Sequence, residues 1–156
     1  MDNVQVIGNT TQELLSLLKI TAKVAVSSTV EEDQTTYTVE ISGDNLGILI
    51  GYHGETLTQL QQILSLTINK KLNVWTRIIV DVNEWRLERK ETVESIAKQA
   101  MLKAKQSGLP QELPSFTSYE RRLIHSLVSL DPEYTSHSEG EGINRKLVIQ
   151  VNNNFS

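Results

Sequence analysis

Two glycines separated by two residues lie between two apolar segments, and this spacing restricts the possible folds more than any other feature. Gly51-Tyr52-His53-Gly54 follows a short apolar stretch at residues 46–50. A helical apolar repeat then begins, formed by Leu57, Leu60, Ile63, Leu64 and Ile68. Glycines let the backbone turn sharply and let another chain approach it closely. The segment therefore predicts a short helical turn, a glycine loop and a longer helix.

The residues around this loop predict a helix and three strands. Thr10 and Glu13 have the spacing of a capping box for a short first helix. Its apolar face would consist of Leu14, Leu15, Leu17 and Leu18. Residues 23–30, 37–41 and 74–82 alternate as strands, and residues 31–34 form an acidic turn between the first two. The element order is helix, strand, strand, short helical turn, glycine loop, helix, strand.

The second half of the chain predicts a long helix over residues 84–106, which ends before Gly108 and Pro110. We therefore predict an α+β fold with two small domains, residues 1–83 and 84–156. The long helix joins them, and whether both domains share it stays open.

Beyond that helix, residues 113–116 are expected to be irregular. Thr117 and Glu120 predict a capping box for a helix that ends near residue 130. Residues 134–142 are expected to form a polar loop, and residues 145–151 a final strand at the edge of a sheet.

Arg121 and His125 are four residues apart, so they share one face of the predicted helix, with Arg122 beside them. Arginine binds phosphate through paired hydrogen bonds, and a histidine one turn away adds a hydrogen bond or stacks on a base. The alternative interpretation is a solvated helix face in which His125 is a half-buried packing residue.

Composition argues against catalysis and against a metal or cofactor site. The chain has no cysteine, and its three histidines are not in metal-ligand spacing. It contains no nucleophile elbow, phosphate-loop lysine motif or dinucleotide fingerprint. No apolar stretch reaches the ~18 residues that span a bilayer, so we expect a cytoplasmic protein without stable membrane insertion. The net charge of −4 predicts modest affinity for nucleic acid.

The element order over residues 10–82, with its glycine loop, resembles a KH domain of bacterial (type II) topology. The resemblance implies that Gly51, Tyr52, His53 and Gly54 clamp a nucleic-acid backbone. KH loops usually carry basic residues between the glycines, where this chain has Tyr52 and His53. Tyr52 would stack on a base or hydrogen-bond a phosphate. Because imidazole titrates near neutral pH, we expect RNA binding to strengthen from about pH 8 to about pH 6.

Residues 84–151 resemble an R-three-H domain, a family associated with single-stranded nucleic acid. The motifs that carry the resemblance are Tyr119-Glu120-Arg121-Arg122-Leu123-Ile124-His125, Ser138-Glu139-Gly140-Glu141 and Arg145-Lys146-Leu147-Val148-Ile149. The resemblance implies a contact face formed by Arg121, Arg122 and His125. Arg145 and Lys146 either extend this face or serve solubility on an edge strand.

A KH domain followed by an R-three-H domain resembles the Jag family of bacterial proteins, also called KhpB or SpoIIIJ-associated protein. The resemblance implies binding of single-stranded RNA or DNA, regulation of cell elongation or division, and a small single-KH-domain partner or a homodimer. Many members carry an extra N-terminal domain, which we expect this chain to lack. The alternative function is a protein-interaction adaptor whose glycine loop binds a partner protein rather than RNA. Gly54→Asp is expected to weaken RNA binding without unfolding the chain.

Overall fold

Each half of the chain forms its own sheet and its own apolar core. The computed structural model describes residues 2–113 and 115–153, and it divides into a first unit, residues 1–86, and a second unit, residues 87–156. Helices and sheets occur in both units, so the predicted α+β fold class is confirmed.

From residue 2 to residue 82, the described part of the first unit contains three α-helices, one 3₁₀ turn and three strands. Its elements are α1 (Asn3–Leu17), β1 (Lys23–Glu31), β2 (Gln34–Ser42), α2 (Gly47–Ile50), a 3₁₀ turn (Tyr52–Gly54), α3 (Glu55–Leu72) and β3 (Arg77–Val82). The sheet order is β1-β2-β3, with β1 antiparallel and β3 parallel to β2. Glu32 and Asp33 both have positive φ in the two-residue turn between β1 and β2, the geometry that suits a tight hairpin.

The core of the first unit lies between one face of this sheet and the helices. Alternating residues of β2 and β3 are buried against one side of α3, as the sequence pattern predicts. The buried set is Tyr37, Val39, Ile41, Ile78, Val80 and Val82 from the strands, with Leu57, Leu60, Leu64 and Ile68 from α3. This packing fixes the start of α3 next to the end of α2, where the glycine loop lies.

The predicted start of the first helix is wrong. Asp2 caps α1, and its side chain accepts a hydrogen bond from the backbone N–H of Val4. Thr10 is buried in the middle of the helix instead of capping it. Ile7, also fully buried, supplies the apolar contact that extends the helix upstream. The predicted apolar face is also wrong at its end, because Leu17 is exposed.

The third strand begins later than the alternation predicts. The buried side chain of Asn69 hydrogen-bonds the backbone N–H of Thr76 at 2.8 Å and its carbonyl at 3.0 Å. Thr76 is thereby held outside the ladder, which starts at Arg77. Trp75 is left 81% exposed in the connection.

Beyond β3, the described residues 83–113 and 115–153 contain two α-helices, three strands and the 3₁₀ turn at residues 142–144. The elements are α4 (Trp85–Ser107), β4 (Gln111–Leu113), α5 (Ser118–Val128), β5 (Tyr134–Glu139), a 3₁₀ turn (Gly142–Asn144) and β6 (Lys146–Val151). The strands form an antiparallel sheet in the order β4-β6-β5. Its core consists of Val93, Ala97 and Ala100 of α4, Ile124 and Val128 of α5, and Leu147 and Ile149 of β6.

Two expectations about the second half are wrong. Residues 134–139 form β5 and not a polar loop. The strand has no apolar alternation because Ser136 and Ser138 face α5 through hydrogen bonds to His125. In addition, β6 is the central strand of its sheet and not an edge strand. Leu113 ends the short strand β4, and the neighbouring Pro114 lies outside the described residues.

Candidate nucleic-acid interface

The glycine loop is a tight turn with three left-handed backbone positions. Gly51, His53 and Gly54 have φ values of 70°, 50° and 80°. The N–H of Gly51 donates to the carbonyl of Gly47 at 3.0 Å and closes α2. Gly54 then precedes α3, which starts without a side-chain cap. The backbone thus reverses direction within four residues.

Both glycines are required by packing against the unit itself. A β-carbon at Gly51 would lie 2.1 Å from Oγ1 of Thr56, and one at Gly54 would lie 2.3 Å from Cη2 of Trp85. Trp85 is the first residue of α4 and packs against the core of the first unit. The expectation that Gly54→Asp leaves the fold intact stays a prediction, and the contact with Trp85 argues against it.

The two side chains between the glycines form an aromatic pair. The rings of Tyr52 and His53 are stacked, with centroids 4.0 Å apart and planes inclined by 12°. Tyr52 is 67% exposed, so the face of its ring that His53 leaves uncovered is open to a ligand.

Charge is sparse at this loop. None of its four residues is lysine or arginine, and the next residue is the exposed Glu55. The start of α3 has no side-chain cap, and the positive end of its dipole favours an anion, whereas the carboxylate of Glu55 opposes one. The loop therefore offers aromatic surface and a helix N-terminus, with little fixed positive charge.

Arg121 lies at the start of α5, where the predicted capping box is present: Thr117 and Glu120 exchange hydrogen bonds. The guanidinium of Arg121 donates from Nη1 to the carbonyl of Phe116 at 2.5 Å and from Nη2 to Oγ of Ser118 at 3.0 Å. Arg121 thus holds the first turn of the helix while keeping its positive charge at this surface.

His125 is half-buried between α5 and β5. Its Nδ1 lies 2.7 Å from Oγ of Ser136, and its Nε2 lies 3.1 Å from Oγ of Ser138. Burial lowers the pKa of His125, and the positive charges of His137, Arg121 and Arg145 lower this pKa further. Near neutral pH the imidazole is therefore uncharged and hydrogen-bonds both hydroxyls. This role is close to the alternative interpretation, in which His125 is a half-buried packing residue.

The other three basic residues differ in how free their charges are. Arg122 is exposed, and within residues 2–113 and 115–153 its guanidinium makes no hydrogen bond or ion pair. Arg145 is exposed and donates one hydrogen bond, of 3.3 Å, to the carbonyl of Gly140. Lys146 forms an ion pair with Glu112 at 2.6 Å. Arg122 and Arg145 thus keep their charge and most of their donors for a ligand, whereas the charge of Lys146 is paired with that of Glu112.

We call Arg121, Arg122, His125, Ser136, Ser138 and Arg145 the Arg–His face. The mutual influence of Arg121, Arg145 and His125 shows that the fold brings together groups separated by up to two dozen residues. Lys146 is directed instead to Glu112 of β4.

A buried ion pair between α4 and α5 holds the helix that carries this face. Nε of Arg89, on α4, donates to Oε1 of Glu120 at 2.6 Å, and both side chains are largely buried. Oε2 of Glu120 accepts the backbone N–H of Thr117. One carboxylate therefore both caps α5 and ties it to α4.

Sequence reasoning missed three supporting residues, one tryptophan and two serines. Trp85 follows two exposed polar residues and carries no periodic signal for its contact with the glycine loop. Ser136 and Ser138 alternate along a segment that resembles a loop in composition. Their spacing of two residues, which is typical of one face of a strand, was the signal that could have predicted β5.

The described part of the chain contains no group of three or more histidine, aspartate or glutamate side chains arranged to hold a metal ion. In that same part, no helix combines the length and the apolar character needed to cross a membrane.

Two family models match consecutive parts of the chain. Residues 11–82 match the KH domain of KhpA/KhpB, and residues 91–150 match the R-three-H domain. The first match includes the glycine loop, and the second includes every residue of the Arg–His face.

Three similar proteins are named as RNA-binding proteins. The chain is 36% identical over 129 residues to the RNA-binding protein KhpB of Clostridium symbiosum, which covers 81% of this chain and 58% of the relative. It is 35% identical over 126 residues to the RNA-binding protein KhpB of Bacillus subtilis, covering 78% and 59%. It is 26% identical over 113 residues to the RNA-binding protein KhpB of Streptococcus pneumoniae, covering 72% and 34%.

The matched segment thus spans less than two thirds of the length of these relatives. None of the three is named as an enzyme. The KhpA/KhpB-type KH domain, the R-three-H domain that follows it and the two relatives above one third identity together establish that this chain belongs to the KhpB family.

Proposed function

We propose that this chain binds single-stranded RNA through two sites, the glycine loop of the first unit and the Arg–His face of the second. The observation that carries the proposal is the Arg–His face itself, where the charges of Arg121 and Arg145 act on a histidine that hydrogen-bonds two serines, and the exposed Arg122 follows Arg121 on α5. Guanidinium groups bind phosphate with two hydrogen bonds each. The RNA-binding names of the relatives support the same ligand.

The two sites act together on one strand. Each has few free charges, which fits the net charge of −4. Linking two weak sites raises their combined affinity through effective concentration. Single-stranded DNA offers the same phosphates and bases, so we propose that it binds as well.

The division of labour follows the proposed domains, a KH domain of residues 1–83 and an R-three-H domain of residues 84–156. The start of the long helix is shared. The contact of Trp85 with Gly54, and the hydrogen bond of 3.0 Å from Arg86 to Gln61, support this sharing.

The binding experiment uses the full chain and a short labelled single-stranded RNA, with fluorescence anisotropy as the readout. Arg122→Ala and Arg145→Ala are better probes than Arg121→Ala, because Arg121 also holds the start of α5. Weaker binding by both variants, with unchanged circular dichroism, supports the proposal. Unchanged affinity in both would contradict the assignment of the Arg–His face.

A protein-interaction adaptor is the second candidate function, and exposed apolar side chains of the first unit favour it. Ile63 and Leu66 on α3 and Trp75 in the following connection are all more than half exposed. A small single-KH-domain protein or a second copy of this chain is the proposed partner. Analytical ultracentrifugation of the chain, alone and with such a protein, distinguishes the two partners.

We further propose that RNA binding serves post-transcriptional regulation linked to cell elongation or division in the bacterial cytoplasm. The proposal is supported by family membership alone. The test replaces the chromosomal gene with an Arg122→Ala, Arg145→Ala double variant and measures cell length by microscopy. Normal cell length with an RNA-binding-deficient variant would contradict this role.

A further inference from the structure

The glycine loop must bind RNA without the positive charge that phosphate contacts normally use. Its four residues include no lysine or arginine, and the exposed Glu55 follows directly. A carboxylate one residue from the loop repels a phosphate at this position. Whatever affinity the loop contributes therefore has to come mainly from an uncharged interaction.

The exposed ring of Tyr52 supplies such an interaction. The ring is stacked on His53 at 4.0 Å, and 67% of the residue is exposed. Within the described residues, the Tyr52 hydroxyl has no hydrogen-bond partner. Every base has an aromatic face, so an open tyrosine ring accepts any unpaired base.

The loop also holds this ring in place. Gly51 and Gly54 are packed against Thr56 and Trp85, so closely that neither position has room for a β-carbon. His53, which lies between them, has a left-handed φ of 50°. A side chain carried on such a constrained turn loses less conformational freedom on binding.

We propose that Tyr52 stacks on an unpaired base of the bound strand, with His53 as the second layer of the stack. This inference rests on the proposed function, because it specifies how the glycine loop contributes to RNA binding. The loop would then contribute affinity through an aromatic surface, while the Arg–His face contributes the phosphate contacts.

The experiment compares Tyr52→Ala and Tyr52→Phe in the full chain, using fluorescence anisotropy with a labelled unstructured single-stranded RNA. Tyr52→Ala should weaken binding by about 5- to 150-fold, the range for losing one stacked base. Tyr52→Phe should bind like the unchanged chain, because the ring is retained. Trp75→Ala removes another exposed aromatic side chain and should leave the affinity unchanged.

A second probe separates base contacts from phosphate contacts. An abasic oligonucleotide of the same length keeps the sugar–phosphate backbone but offers nothing to stack on. Tyr52→Ala and the unchanged chain should therefore bind the abasic probe equally. The salt dependence of RNA binding should also be the same in both proteins, since no charge is removed.

Three outcomes would overturn the inference. If Tyr52→Phe binds as weakly as Tyr52→Ala, the tyrosine hydroxyl and not its ring makes the contact. If Tyr52→Ala binds RNA as tightly as the unchanged chain, the loop does not stack, while the proposed function stands. If the unchanged chain binds no RNA even at low salt, the proposed function fails together with this inference.

Discussion

The glycine loop and the Arg–His face differ in the interactions that hold them in place and in the charge that they carry. Apolar packing holds the loop, where Trp85 occupies the space that a side chain at Gly54 would need. A buried ion pair between Arg89 and Glu120 holds the Arg–His face. The loop displays an aromatic ring, and the face displays guanidinium groups.

Under the proposed function, this difference predicts two separable contributions to nucleic-acid binding, one from each region. Contacts to phosphate weaken steeply with salt, because they release condensed counterions. Stacking on a base depends little on salt. The packing that holds each region and the contacts that each region makes with RNA can therefore be tested separately.

The largest effect is expected at the support of the Arg–His face. Glu120→Ala removes the buried partner of Arg89 and the acceptor of the Thr117 N–H. Breaking one side of a buried ion pair lowers the free energy of unfolding by about 3–5 kcal/mol. Hydrogen exchange, read separately for the two units, should show the loss in the second unit.

Glu112→Ala is the matched control for this variant. Glu112 also forms an ion pair, with Lys146, but it is mostly exposed. Exposed pairs contribute about 0–1 kcal/mol. Equal destabilisation by the two variants would contradict the special role of Glu120.

The second effect is expected at the support of the glycine loop. Gly54→Ala places a methyl group 2.3 Å from the ring of Trp85. Overpacking of this kind costs about 1–3 kcal/mol, and here it should appear as lower protection of the first unit in hydrogen exchange. Gly47→Ala is the control, since a β-carbon at Gly47 has no atom within 4 Å.

A double variant sharpens this result. Trp85→Ala removes the ring that the new methyl group would meet, so Gly54→Ala should cost less in that background. Such non-additivity is expected of residues in contact. Strictly additive effects would show that the clash with Trp85 is not the cause.

The charge of the Arg–His face is tested by salt dependence. Removing one phosphate interaction lowers the slope of log affinity against log salt by about 0.7 for a single strand. Arg122→Ala and Arg145→Ala should each show this decrease in a titration by fluorescence anisotropy. Lys23→Ala, an exposed lysine in β1, should not. An unchanged slope in both arginine variants would place the phosphate contacts elsewhere.

The smallest effect is the pH dependence of stability that His125 produces. Burial and neighbouring positive charges lower the pKa of His125 in the folded chain. The unfolded chain therefore binds this proton more readily, so the second unit should lose stability as pH falls below about 6.5. Urea unfolding between about pH 7.5 and about pH 5.5 measures this loss.

His125→Gln should flatten that pH dependence, whereas a slope that persists in the variant would assign it to other groups.

Much of the fold follows from apolar periodicity, which locates the sheet and helix of the glycine-loop unit and the long helix α4. The polar strand β5 could not be predicted in this way, because Ser136 and Ser138 replace apolar contacts with hydrogen bonds to His125. The start of β3 depends on the Asn69 side chain, seven residues away from Thr76. Interactions of this kind leave no period in the sequence.

The residues of the candidate sites were easier to predict from the sequence than the residues that hold those sites in place. Glycine spacing and the Arg–His spacing identify both surfaces, since each pattern acts within a few residues. The roles of Trp85 and Glu120 depend on contacts between distant elements. For the same reason, the sequence did not reveal that Lys146 is paired or that Gly54→Asp would meet Trp85.

The most direct test of two-site RNA binding is fluorescence anisotropy of the full chain with a short labelled single-stranded RNA. Titrations at about 50 mM and about 200 mM salt should give a steep loss of affinity for the unchanged chain. The Tyr52→Ala, Arg122→Ala double variant should bind more weakly than either single variant. Absence of binding at the lower salt would contradict two-site RNA binding and favour a protein-interaction adaptor.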